Sequence, residues 1–123
     1  MKILVVDDDP DLVFILKTAL EKDGYAVSTA GTGLEGLEKA KSEHPDLILL
    51  DLMMPKMDGQ EMNIRLKKDA RTAGIPVVIL TGYGRFKELM EARKNFQVAA
   101  YLEKPVPLKK ILETIKQVLG DHG

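Results

Sequence analysis

The chain has 123 residues, a net charge of −1 and no cysteine. A chain of this length is expected to form a single domain, residues 1–123, with a hydrophobic core of its own. The lack of cysteine excludes disulfides and thiolate metal sites, and no apolar run approaches the ~20 residues of a membrane span. The composition therefore predicts a cytoplasmic protein that does not enter a membrane.

Charge is unevenly distributed along the chain. Residues 1–60 contain 6 Lys/Arg and 12 Asp/Glu, a net −6, whereas residues 61–123 contain 12 and 7, a net +5. Such asymmetry can indicate a nucleic-acid surface. Here the basic residues alternate with acidic ones at helical spacings, and aromatic residues are only 5% of the chain. We therefore interpret them as solvated helix surfaces and predict no direct nucleic-acid binding.

The first half of the chain is typical of three strands and two helices. The strand-like runs are "KILVV" (2–6), "YAVSTA" (25–30) and "DLILL" (46–50). Apolar residues recur at helical spacing between them, first at Leu12, Leu16, Ala19 and Leu20 and then at Leu34, Leu37 and Ala40. The turn signal Asp23-Gly24 ends the first helix, and His44-Pro45 ends the second.

The second half contains two further strands and three further helices. The strand-like runs are "PVVIL" (76–80) and "AAYL" (99–102). Helical spacing relates Met62, Leu66 and Ala70, then Phe86, Leu89, Met90 and Phe96, and last Leu108, Ile111, Leu112, Ile115 and Leu119. Five alternating βα units predict an α/β fold with a parallel sheet and helices on both of its faces.

Polar side chains follow the carboxyl ends of four predicted strands. They are Asp7, Asp8 and Asp9 after the first strand, Asp51 after the third, Thr81 after the fourth and Lys104 after the fifth. The ligand crevice of an open parallel sheet lies beyond these strand ends. We therefore expect the six side chains to meet at one edge of the sheet.

This group of residues predicts a chemistry. Crowded carboxylates repel one another, and an all-oxygen site of two or three acids suits Mg²⁺, which favours phosphate co-ligands. An ammonium and a hydroxyl beside that ion suit phosphoryl transfer, in which catalysis is mainly positioning and charge neutralisation. Asp51, central among these residues, is the candidate nucleophile and would form an aspartyl-phosphate. Asp9, followed by Pro10, is expected instead to cap the first helix.

Four ordered motifs, "ILVVDDD", "LILLDLMMPKMDG", "VVILTGYG" and "YLEKP", resemble the receiver domains of two-component response regulators. The resemblance covers almost the whole chain and implies a flavodoxin-like (βα)5 fold with strand order 2-1-3-4-5. It also implies that Asp51 accepts a phosphoryl group from the phosphohistidine of a sensor histidine kinase or phosphotransfer protein. Mg²⁺ would be held by Asp7, Asp8, Asp51 and the backbone carbonyl of Met53.

The resemblance further implies a switch. Thr81 and Lys104 would contact the phosphoryl oxygens, and the Lys104-Pro105 peptide bond would be cis. Thr81 would then move toward the phosphoryl group and Tyr101 would turn inward. This change would alter the face formed by the fourth helix, the fifth strand and the fifth helix, toward a downstream partner, an output domain or a phosphorylation-dependent dimer. The domain would catalyse only its own phosphorylation and dephosphorylation and would not be a turnover enzyme.

Some positions depart from the family pattern. Met53 is apolar where some receivers have a polar side chain near the attacking water, and Gly82 follows Thr81 where Ala is frequent. Residues 95–100, "NFQVAA", replace the usual Gly-Ala turn, and the interval from Thr81 to Lys104 is about one residue longer than in the family pattern. These departures bear on the hydrolysis rate and on the partner surface rather than on Asp51.

Other interpretations remain open at this stage. The chain could be a phosphorelay intermediate, or an interaction module that keeps the receiver fold without phosphorylation. "GTGLEG" (Gly31 to Gly36) matches the dinucleotide fingerprint, but it follows the second strand rather than the first, which disfavours nucleotide binding. The domain could be a stand-alone regulator or a receiver from a longer protein.

Overall fold

The computed structural model describes residues 1–51, 59–82 and 98–120, apart from the side chains of 59, 60 and 81. The strands are β1 (Lys2–Val6), β2 (Ala26–Ala30), β3 (Leu47–Asp51), β4 (Val77–Thr81) and β5 (Ala100–Glu103). The helices are α1 (Pro10–Lys22), α2 (Gly33–Glu43), α3 (Gly59–Lys68) and a last helix, Leu108–Leu119. The fourth helix predicted from Phe86 to Phe96 lies outside the described residues. Every helix within the described ranges is too short or too polar to cross a bilayer.

The five strands form one parallel sheet in the order β2-β1-β3-β4-β5. This order confirms the flavodoxin-like topology, with β1 and β3 at its centre. The chain steps outward from β1 to β2 and then returns past β1 to β3. The strand order therefore reverses between β1 and β3, and the carboxyl ends of these two neighbours face the crevice where such folds bind ligands.

Alternate residues of the central strands build two separate cores. Leu4, Val6, Ile48 and Leu50 face the cluster under α2 and α3, whereas Ile3, Val5, Leu47 and Leu49 face the cluster under α1 and the last helix. These strand residues are at most 2% exposed. Burial on both faces explains why the strands are continuously aliphatic. It also makes the sheet a rigid support for polar residues at the strand ends.

Side chains and special backbone conformations fix the helix ends. Asp9 caps α1 with its carboxylate, and Thr32 caps α2 with its hydroxyl. His44 ends α2 in the left-handed conformation, with φ 49°, and Gly24 follows α1 with φ 95°. The predicted helix stops at Asp23-Gly24 and His44-Pro45 are therefore confirmed.

Candidate functional site

The end of β1 places two acids side by side in different environments. Asp7 is only 4% exposed, and its backbone N–H donates to the carbonyl of Ala30 (3.0 Å) at the end of β2. Asp8, the next residue, is exposed. The N–H of Asp9 donates to Asp7 Oδ1 at 2.9 Å and orients that carboxylate.

Asp51 reaches the same place from the neighbouring strand. It is the last residue of β3, paired with Leu80 of β4, and the residue is 6% exposed. The sequence predicted that Asp51 would follow the third strand, but in the structure it is the strand's last residue. Carboxylate oxygens of Asp7, Asp8 and Asp51 all lie within 4.8 Å of one another. The structure therefore brings these three acids together, as the strand-end argument predicted.

Lys104 approaches the acids from the end of β5. Its Nζ lies 3.5 Å from Asp7 Oδ2 and 4.0 Å from Asp51 Oδ2, and the Lys104-Pro105 peptide bond is cis. The Lys104 side chain is 33% exposed, so its ammonium remains partly hydrated. Among the described residues of the strand ends, the Lys104 ammonium lies beside Asp7 and Asp51, and the three carboxylates outnumber it.

The electrostatics of Asp7 show the cost of this arrangement. Burial raises the pKa of Asp7 above its ordinary 3.8, while the Asp9 N–H and Lys104 act in the opposite direction and Asp8 adds to the rise. Asp7 Oδ2 is buried, and no hydrogen-bond donor among the described residues satisfies it. The Lys104 ammonium at 3.5 Å gives an ion pair without good hydrogen-bond geometry. A buried, incompletely satisfied carboxylate is costly unless a further cation is bound.

The residues present fit a divalent ion with oxygen ligands. Three carboxylates that offer one oxygen each within 4.8 Å match the hard oxygen donors preferred by Mg²⁺. An open cleft of about 210 Å³ lies beside the two acids that follow β1, with Pro10, Val13, Thr29, Ala30 and Gly31 as its other walls.

The remaining predicted site residues are only partly described. Thr81 ends β4 opposite Glu103 of β5, as the strand-end argument requires, but its side chain is outside the described set. Met53, the predicted carbonyl ligand, is also outside it. Tyr101 lies in β5 opposite Ile79, with 52% of its surface exposed. The inward movement proposed for this ring therefore starts from an outward-facing position.

The glycine-rich segment Gly31 to Gly36 has a packing role. A Cβ at Gly36 would lie 2.9 Å from the side chains of both Val6 and Met62, so glycine lets α2 approach β1 and α3. β2 is an edge strand, whereas the dinucleotide fingerprint follows the first, more central strand of such sheets. These features disfavour the dinucleotide alternative.

One hydrogen bond at the acid cluster had no signal in the side-chain pattern. The N–H of Asp9 is a backbone donor, and the sequence indicated only that its carboxylate would cap α1. The motif "DDDP" therefore predicted the two candidate ligands and the cap, but not the hydrogen bond that links them.

Comparison with known proteins identifies the family. The model of the response regulator receiver domain matches residues 3–116. The chain is 39% identical over 120 residues to the DNA-binding dual master transcriptional regulator RpaA of Synechocystis sp., covering 96% of this chain and 48% of that protein. It is 37% identical over 119 residues to Protein PilH of Pseudomonas aeruginosa, covering 97% and 98%. The chain thus spans about half of the first relative and nearly all of the second.

A solved structure supports the same assignment. The response regulator receiver domain protein (CheY-like) from Methanospirillum hungatei is 35% identical, with a TM-score of 0.87 over 98% of this chain and 94% of that one. The family match, the similar fold and the three carboxylates at the strand ends all indicate the same family. This chain belongs to the response regulator receiver domains of two-component signalling.

Proposed function

We propose that the domain accepts a phosphoryl group on Asp51 in a Mg²⁺-dependent reaction, with a phosphohistidine of a sensor kinase or phosphotransfer protein as donor. The observation that supports this most strongly is the meeting of Asp7, Asp8 and Asp51 within 4.8 Å, with the Lys104 ammonium beside them. If Lys104 only formed a structural ion pair, one carboxylate would be enough, and it would not need a cluster of three carboxylates. A site for a divalent ion and a phosphoryl group does.

The residues divide the work in the proposed reaction. A carboxylate oxygen of Asp51 attacks phosphorus, the P–N bond to the donor imidazole breaks, and its electron pair returns to the imidazole nitrogen. Asp7 and Asp8 would hold Mg²⁺ together with Asp51, and the ion would supply positive charge toward the phosphoryl oxygens. Lys104, within 4.0 Å of Asp51, supplies a second positive charge and can follow the phosphoryl oxygens as they arrive.

The proposed output is a change in a surface. Thr81 ends β4 and Lys104 directly follows the neighbouring β5, and this supports the proposal that both contact a phosphoryl group on Asp51. Tyr101, half exposed on β5, would turn inward when Thr81 moves. The fourth predicted helix, β5 and the last helix then present a changed face to a downstream protein, an output domain or a second copy. The aspartyl-phosphate is hydrolysed by the domain itself, so no external substrate is turned over.

Acetyl phosphate tests the acceptor directly. The protein is incubated with acetyl phosphate and Mg²⁺, and its intact mass is measured. We expect a gain of one phosphoryl group in the wild type, no gain in Asp51→Asn, and no gain when EDTA removes Mg²⁺. Asp69→Asn is the matched control: Asp69 is also an ion-paired carboxylate, but it pairs with Arg71 and Lys41 and lies outside the acid cluster, so the gain should persist.

The contrary result has a clear meaning. A folded wild-type protein that gains no mass, or gains it equally in Asp51→Asn, contradicts the proposal. The first of these results is what an unphosphorylated interaction module would give.

A further inference from the structure

Asp9 is connected on every side to the candidate cation site and to α1. Its N–H donates to Asp7 Oδ1 (2.9 Å), and its carbonyl accepts from Val13 N (3.0 Å). Its carboxylate Oδ1 accepts from Asp11 N (3.0 Å) and Leu12 N (3.4 Å). The peptide N–H that orients one candidate ligand is thus fixed to the first turn of a helix by its own side chain.

These contacts constrain both of the acids that follow β1, Asp7 and Asp8. The Asp7 N–H is fixed to the Ala30 carbonyl at 3.0 Å, and the Asp9 N–H is fixed to the Asp7 carboxylate. Asp8 lies between these two fixed peptide groups. If the α1 cap opens, the Asp9 amide is free to turn, and both Asp7 and Asp8 lose their preset directions.

We infer that Asp9 is a positioning residue of the cation site, which acts by capping α1 and thereby holding the amide that orients Asp7. This inference rests on the proposed function, since it concerns the affinity of the same site for Mg²⁺. Asp9 is not itself a ligand in this account. Its oxygens do not belong to the group that lies within 4.8 Å, and Oδ1 is already used by the helix amides.

The inference separates the cap of Asp9 from its charge. Asn caps helices about as well as Asp, whereas Ala cannot cap. Asp9→Asn and Asp9→Ala carry the same charge, so a difference between them reports the cap alone. The N-cap of α2 provides a matched control: Thr32 Oγ1 accepts from Glu35 N at 3.1 Å, and Thr32 is not part of the acid cluster. Thr32→Ala therefore removes a cap without touching Asp7.

The experiment is a Mg²⁺ titration at neutral pH, followed by amide chemical shifts in wild type, Asp9→Asn, Asp9→Ala and Thr32→Ala. Loss of a group that orients a ligand typically weakens metal binding by about tenfold or more. We expect about tenfold weaker binding in Asp9→Ala, and binding within about twofold of wild type in Asp9→Asn and Thr32→Ala. Without Mg²⁺, the Asp9 amide proton should shift toward the random-coil value in Asp9→Ala only.

Two results would overturn the inference. One is an unchanged Mg²⁺ affinity in Asp9→Ala. The other is a tenfold loss in Asp9→Asn, which would assign the effect to charge, and this result is decisive even if Asp9→Ala does not fold. Failure of the proposed function is recognised separately, since the wild type would then show no saturable Mg²⁺ binding and no phosphoryl gain.

Discussion

Asp7 and Asp69 each lie beside a cation, yet their pKa values move in opposite directions. The side-chain hydrogen bond from Arg71 lowers the pKa of Asp69 to about 2, helped by the Arg71 backbone N–H. The two guanidinium contacts are 2.8 and 3.1 Å. Burial raises the pKa of Asp7 although Lys104 is 3.5 Å away. The fold thus stabilises the ionised form of Asp69 and destabilises the ionised form of Asp7.

The difference comes from how each carboxylate is brought to its partners. Asp69 and Arg71 are two residues apart in a turn, where the local chain supplies both the amide and the guanidinium. Asp7 meets Asp51 and Lys104 only because three strands end at one edge of the sheet. Local geometry can satisfy a carboxylate fully, whereas the strand ends gather negative charge that a bound cation would have to balance.

The largest effect on stability is expected when the Lys104 ammonium, which lies beside the buried Asp7 and Asp51, is removed. Lys104→Met leaves Asp7 and Asp51 without their shared cation. Breaking a buried ion pair costs about 3–5 kcal/mol, and the partial exposure of Lys104 should reduce this to about 2 kcal/mol in urea unfolding without Mg²⁺. Lys116→Met, which breaks the exposed pair with Asp23, should change stability by less than about 0.5 kcal/mol. Equal effects in the two variants would remove the distinction between the two kinds of pair.

Removal of the Asp7 charge should instead stabilise the fold. Because the pKa of Asp7 is raised in the fold, its ionised form destabilises the protein at pH values above the folded pKa. Asp7→Asn, whose Oδ1 can still accept the Asp9 N–H, should therefore raise the urea midpoint at pH 7 without Mg²⁺, by less than Lys104→Met lowers it. The gain should shrink as the pH falls toward 3.8. A lower midpoint at pH 7 would show that the Asp7 charge stabilises the fold.

The smallest effect is expected at the surface turn. Because the pKa of Asp69 is lowered to about 2, its stabilising contribution is complete above 3.8 and is lost as the pH falls toward 2. Asp69→Asn should give a slightly lower urea midpoint at pH 7, and the difference from wild type should vanish near pH 2. A difference that persists at pH 2 would mean that the turn depends on the amide geometry rather than on the charge.

Periodicity predicted most of the fold because each strand and helix has a single buried pattern. Leu16, Leu20, Met62 and Leu66, predicted on buried helix faces, are all 0% exposed. Among the described residues, three predicted stripe residues are exposed. Leu34 is 49% exposed because it lies in the first turn of α2, and Ala70 is exposed because α3 ends two residues earlier, at Lys68. The third is Leu108 in the first turn of the last helix, which is 36% exposed.

The site was predictable to the level of strand ends and no further. The argument that parallel strands end at one edge brought Asp7, Asp8, Asp51 and Lys104 together without distances. It could not predict that Asp51 is still part of the β3 ladder, because strand ends depend on pairing with β4. Backbone donors such as the Asp9 N–H have no residue-type signal, so the link between α1 and the acids appeared only in the structure.

The most direct test of the account is a Mg²⁺ titration of the side-chain carboxyl ¹³C signals, with Asp69 as an internal reference. If one ion is shared at the strand ends, the signals of Asp7, Asp8 and Asp51 should move with one common dissociation constant while that of Asp69 stays still. If the three signals give separate constants, or follow Asp69 in a weak unsaturable drift, these acids do not form a single cation site.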